Sequence, residues 1–144
     1  MALIPYSMLV NRQQNEETMT VLSNLKNTRS LAASFFYKDE HDDIRCLVDS
    51  GSDESLFHSS VAENLSIDLE SGEPRTYYPV GLALIKGYAH TVELQVHGLN
   101  ERITIVAGFT EASELCLLGQ SGFFENYEIT FRGFEKTFEI RSRL

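Results

Sequence analysis

The chain has 144 residues, 42% hydrophobic and 23% charged, the balance of one globular domain with a real core. Its 21 acidic residues outweigh 12 basic ones for a formal charge of −9. This argues against nucleic acid as the main partner, because phosphate binding needs clustered Lys and Arg, and the acidic surface serves solubility. No run of about 18 apolar residues exists, so no membrane partner is expected.

Residues 1–29 differ in texture from the rest, and the chain divides into an N-terminal arm, 1–29, and a main domain, 30–144. Met1–Val10 is apolar but broken by Pro5, with no basic leader and no small-residue cleavage site before Asn11, so it reads poorly as a signal peptide. Between Asn15 and Lys26, apolar residues at 18/19, 21/22 and 25 fall at roughly helical spacing, which predicts a short helix or a loosely held arm.

From Ser30 the pattern turns to β. Leu31–Tyr37 reads as a strand, Lys38–Asp43 as a charged turn, and Ile44–Val48 as the returning strand of a hairpin. Asp53–Leu65 reads as a turn and a short helical piece. Tyr77–His90 is a second hairpin, with Gly81 and Gly87 bracketing Leu82-Ala83-Leu84-Ile85-Lys86. Thr91–His97 alternates, with Val92, Leu94 and Val96 on one face. Ile103–Ala107 and the buried run Leu115–Leu118 follow. One helical turn is expected over Ser121–Asn126, then a last hairpin through Tyr127, Ile129 and Phe131 to Thr137–Ile140. Many short strands at this spacing predict an all-β closed sheet or sandwich.

Two short segments carry the chemistry. Cys46-Leu47-Val48 delivers one aspartate into the small-residue turn Asp49-Ser50-Gly51-Ser52, and a second apolar run ends at glycine in Leu115-Cys116-Leu117-Leu118-Gly119. Taken alone, Asp49-Ser50-Gly51 is an ordinary Asx-type turn at a strand end. With the second segment and the order of strands, residues from about Ser30 to Ile140 resemble a retropepsin-type aspartic protease. Leu117-Leu118-Gly119-Gln120-Ser121-Gly122-Phe123-Phe124 is similar to the bacterial members in particular.

The resemblance implies an all-β closed barrel with a flap hairpin and one short helix. It makes Asp49 the catalytic carboxylate, Ser50 the residue that ties two half-sites together, and Gly51 the close-approach glycine whose N–H faces the carboxylate. Ser52, Leu117, Leu118 and Gly119 become structural parts of the site, with Gly119 allowing a tight crossing behind the loop. Gly81, Leu82, Ala83, Leu84 and Ile85 of the flap, together with Asp53, become substrate contacts. The Asp-Ser-Gly signature occurs once, so the resemblance further implies a homodimer acting on a polypeptide substrate without a cofactor. Retroviral members place an Arg after the glycine, paired with an Asp four residues past the catalytic one; here Asp53 faces Gln120 instead.

The remaining polar groups have plainer readings. Asp39, Glu40, Asp42 and Asp43 are a solvated turn. His41, His58, His90 and His97 lack metal-ligand spacing and are surface or core histidines, so no metal is expected. Cys46 and Cys116 give neither a disulfide framework nor a zinc pattern, and reduced, packed thiols in a cytoplasmic protein are expected. Two competing readings stay open at this stage. One is a protease-like domain without turnover that serves in dimerisation or peptide binding. The other is an unrelated β-barrel adaptor, which requires the Asp49 and Gly119 segments to lie apart.

Overall fold

The computed structural model describes residues 8–13, 16–22, 29–78, 84–112 and 116–143, with side chains from residue 29 onward. The strands are β1 (Met8–Gln13), β2 (Glu16–Leu22), β3 (Ser30–Tyr37), β4 (Glu40–Val48), β5 (Leu56–His58), β6 (Glu73–Tyr77), β7 (Ile85–Val96), β8 (Ile103–Thr110), β9 (Leu117–Leu118), β10 (Tyr127–Arg132) and β11 (Thr137–Ser142). One short α-helix, α1 (Ser59–Asn64), follows β5, capped by the His58 side chain, which accepts from the Ser60 N–H.

Seven strands form one sheet in the order β3-β4-β9-β5-β8-β7-β6, and β3 also pairs with β7. Six strands therefore close into a ring, with β6 outside it. The interior is apolar because each long strand alternates. In β7, Val92, Leu94 and Val96 are buried while Thr91 and Glu93 are exposed. Phe35 of β3, Phe57 of β5 and Phe109 of β8 meet across the ring, with centroids 4.7 Å apart for Phe35–Phe57 and 5.9 Å for Phe57–Phe109. Phe138 and Ile140 of β11 join the same core, so the second sheet, β1-β2-β11-β10, packs onto the ring.

Two expectations change at this level. The charged segment after β3 turns in two residues, Lys38-Asp39, with Lys38 at φ 53°. Glu40–Asp43 already belong to β4, where Asp43 stands opposite Ser34. In the arm, Glu16–Leu22 is a strand and not a helix. It pairs antiparallel with β11 from Thr18↔Arg141 to Leu22↔Thr137, while β1 pairs with its other edge. An open strand edge offers unpaired N–H and C=O groups, and the β-branched Thr18, Thr20 and Val21 suit it; this tertiary pairing overrides the local spacing.

On the outer face of the ring, Ser34 donates its hydroxyl hydrogen to Asp43 Oδ1, so His97 Nε2, 2.7 Å away, is the donor to Ser34 Oγ. The carboxylate binds the serine and not the far ring nitrogen. That order leaves the imidazole as a donor to the hydroxyl and not its base, so the three groups read as a hydrogen-bond chain across β4, β3 and the end of β7. The Ser34 hydrogen bond holds the Asp43 carboxyl below its ordinary range; burial opposes it, and the His97 charge adds to the lowering. A carboxyl with a depressed folded pKa contributes stability above its unfolded pKa, and that contribution is lost as pH falls through the folded value. Because the Asp43 side chain is 58% exposed, Asp43→Asn is expected to cost less than about 1 kcal/mol at neutral pH and nothing in strong acid. Urea midpoints at the two pH values check this.

Candidate active site

The Asp49 loop leaves the end of β4 and is held from below by β9. Leu47 and Val48 pair in parallel with Leu117 and Leu118. Leu47 N donates to Cys116 O at 2.8 Å, and Asp49 N donates to Leu118 O at 3.0 Å. The two motif segments are therefore adjacent, and the reading that needed them apart is excluded.

Within the loop, Gly51 N donates to Asp49 Oδ1 at 3.0 Å and Ser52 N to Asp49 O at 3.2 Å. These bonds fix one carboxylate oxygen of the half-buried Asp49, whose neighbours Ser50 and Gly51 are exposed. Gly51 donates as expected, but close approach does not demand a glycine within one chain. An added Cβ would meet Asp49 Oδ1 at 3.4 Å, an ordinary contact. Gly119 differs: a Cβ there would stand 2.6 Å from Ser52 O and 2.8 Å from the Glu54 carbonyl carbon. The tight crossing assigned to Gly119 is present.

The segment after Gly119 wraps the loop from the far side. Gln120 N donates to Ser52 O at 2.8 Å and Ser121 N to Asp53 O at 2.9 Å. The Gln120 side chain donates to Ser50 O at 2.8 Å. The sequence placed Gln120 opposite the Asp53 carboxylate; the structure aims it at the Ser50 main chain, and Asp53 meets this segment through its own backbone carbonyl. A neutral amide thus braces the loop by holding its backbone. The chain then turns through Gln120–Phe124, an irregular wide turn in which Gly122 has φ 94° and Phe123 drops into the core.

Ser55 is the residue that sequence reasoning missed. It is fully buried, donates to Ser121 O at 2.8 Å and accepts from Gly119 N at 3.1 Å, while its carbonyl accepts from Gly108 N at 2.9 Å. One serine thus ties the Asp49 loop to the strand below and to β8. A serine before Leu56-Phe57 gives little signal, because what marks it is the pair of backbone groups that converge on it. Ser55→Ala buries the Gly119 N–H and the Ser121 C=O without this partner and is expected to destabilise by about 1–3 kcal/mol. Equilibrium urea denaturation reads it; an unchanged midpoint would count against the assignment.

Strands β6 and β7 form an antiparallel hairpin from Glu73↔Ala89 to Tyr77↔Ile85. Gly81, Leu82 and Ala83 lie outside the described residues. Gly87, expected at a hinge or tip, sits inside β7 opposite Arg75, buried against the Phe109 carbonyl. Tyr78 and Leu84, at the two strand ends nearest the tip, are 75% and 63% exposed. Ile85 turns inward with Tyr77 and Leu56 in a small cluster apart from the main core. Tyr77 lies so close to Gly108 that a side chain there would displace its ring. Burial raises the Tyr77 phenol above its ordinary pKa, and its hydroxyl has no hydrogen-bond partner among the described residues.

Among the described residues no group of three or more His, Cys, Asp or Glu is placed to hold a metal ion, and no helix is long and apolar enough to cross a membrane. No protein family matches the sequence, and no curated protein does. The fold does match: the chain is similar to a crystal structure of a retropepsin-like aspartic protease from Rickettsia conorii, with a TM-score of 0.66 and 15% identity over 95% of this chain and 96% of that one. The molecule is all-β and has the retropepsin-like fold.

Proposed function

We propose that this chain is an aspartic endopeptidase whose active site is completed by two copies, each contributing Asp49. The observation that carries the reading is the braced Asp49 loop, with Leu118 O under its first N–H and Gly51 N on its carboxylate, in a retropepsin-like fold. A single carboxylate cannot serve as base and acid at once. An isologous two-fold contact brings identical groups face to face at the axis. Two close carboxyls share one proton, because like charges in a partly dry site repel. The ionised one takes a proton from water, which attacks the peptide carbonyl, and the protonated one donates to the carbonyl oxygen. The pair titrates as a unit.

The substrate is an extended polypeptide lying between the Asp49 loops and the β6–β7 hairpins, paired through backbone hydrogen bonds. The hairpin acts as a cover that admits the chain and excludes water. The apolar exposed Leu84, with Leu82 and Ala83, favours hydrophobic side chains beside the scissile bond, and the reduced cysteines fit a cytoplasmic setting.

Sedimentation and a peptide-library cleavage assay on the same sample test the reading. Expected are cleavage blocked by a statine-type inhibitor and a rate that rises with the dimer fraction. A dimer that leaves every peptide uncut, or cleavage by a monomer that never associates, would overturn it.

A further inference from the structure

Cys46 and Cys116 stand opposite each other on neighbouring strands, one position before the paired residues Leu47 and Leu117. The Leu47 N–H to Cys116 O bond carries the ladder through that position. In a parallel pair, residues at the same register point to the same face, and here that is the face of Val48 and Leu118. Cys46 belongs to the buried core, and Cys116 packs against it. Adjacent strands lie about 4.8 Å apart, within the roughly 4.4–6.8 Å between Cα atoms that a disulfide spans.

The two thiols differ in access. Cys46 is fully buried. Cys116 is half-buried and lines an open cleft of about 500 Å³, between α1 and β4, with Asp42, His58, Ser60, Val61 and Asn64. A small oxidant therefore reaches Cys116 first, with Cys46 directly behind it. Both cysteines are free.

We propose that Cys46 and Cys116 are a latent disulfide site, closed by a peroxide entering through this cleft and reopened by a thiol reductant. The Cys116 sulfur attacks one peroxide oxygen, the O–O bond breaks, and the departing oxygen leaves as water, giving a sulfenic acid. The Cys46 sulfur then attacks that sulfur, forming the S–S bond and releasing a second water. Two thiols lose two electrons and two protons to one peroxide. The bond joins the strand that ends in Asp49 to the strand that ends in Gly119, three residues before each.

Burial raises both thiols above their ordinary pKa; beside Cys116 the His58 backbone N–H opposes this, and beside Cys46 the neighbouring Cys116 adds to it. The attacking species is the thiolate, so the reaction is slow near neutrality and accelerates about tenfold per pH unit on the way to the thiol's pKa.

The test treats the full folded chain with hydrogen peroxide between neutral and mildly alkaline pH, then alkylates it and measures intact mass. Expected is a species lighter by two hydrogen atoms, a Cys46–Cys116 linked peptide on non-reducing digestion, and full reversal by dithiothreitol. Cys46→Ala and Cys116→Ser should each abolish the mass loss. Oxygen addition at Cys116 with Cys46 still alkylatable, or a linkage only between chains, would overturn the proposal. The readout does not involve proteolysis, so it stands or falls apart from the function proposed above.

Discussion

Under the proposed two-copy mechanism, Asp49→Asn is expected to lower peptide cleavage by about 10⁴-fold or more while leaving the fold intact, because it would remove both acid and base at once. The stability change should stay within about 1 kcal/mol, since Asp49 is half-buried and an asparagine oxygen still accepts from Gly51 N–H. A mixing experiment goes further. If each site needs one carboxylate from each copy, inactive subunits poison active ones. With free exchange, an equal amount of the variant should leave about half the wild-type activity, and a ninefold excess about a tenth. Activity that ignores the added variant would show that one Asp49 suffices, and the two-copy mechanism would be wrong.

The second large effect separates two glycines that look equivalent in the sequence. Gly119→Ala drives a Cβ into the Ser52 and Glu54 backbone, which cannot swing aside as a side chain could. Strand β9 must shift off the loop, weakening Gly119 N to Ser55 Oγ and Gln120 N to Ser52 O. The expected cost is about 3 kcal/mol or more, a fall in melting temperature on the order of 10 °C. Gly51→Ala places its Cβ 3.4 Å from the carboxylate and should change stability by less than about 1 kcal/mol. Calorimetry on both variants decides it; equal losses, or none at Gly119, would refute the crossing as the reason for this glycine.

The parts legible in the sequence were those that local chemistry dictates. Alternation marked the second half of β7, from Thr91, hairpin patterns marked β3–β4 and β10–β11, and a carboxylate between an apolar run and small residues marked the loop. What stayed hidden depends on partners far along the chain. Glu16–Leu22 becomes a strand because β11 offers an edge, and its own spacing points to a helix. Gln120 turns to the Ser50 carbonyl because backbone geometry brings that oxygen within reach. Ser55 matters because Gly119 and Ser121 converge on it from more than sixty positions away. Gly87 looks like a tip residue, yet it is a mid-strand site where Phe109 leaves no room for a side chain.

The ring closes through β3 and β7, and among the described residues β6 lies beyond the closure with a ladder along one edge alone. A closed hoop has no loose end from which to peel, so the strands beneath the loop hold or fail as a unit. The outlying β6 is free of that constraint. Loss of the described β6 pairings, all of them with β7, would break no rung of the hoop.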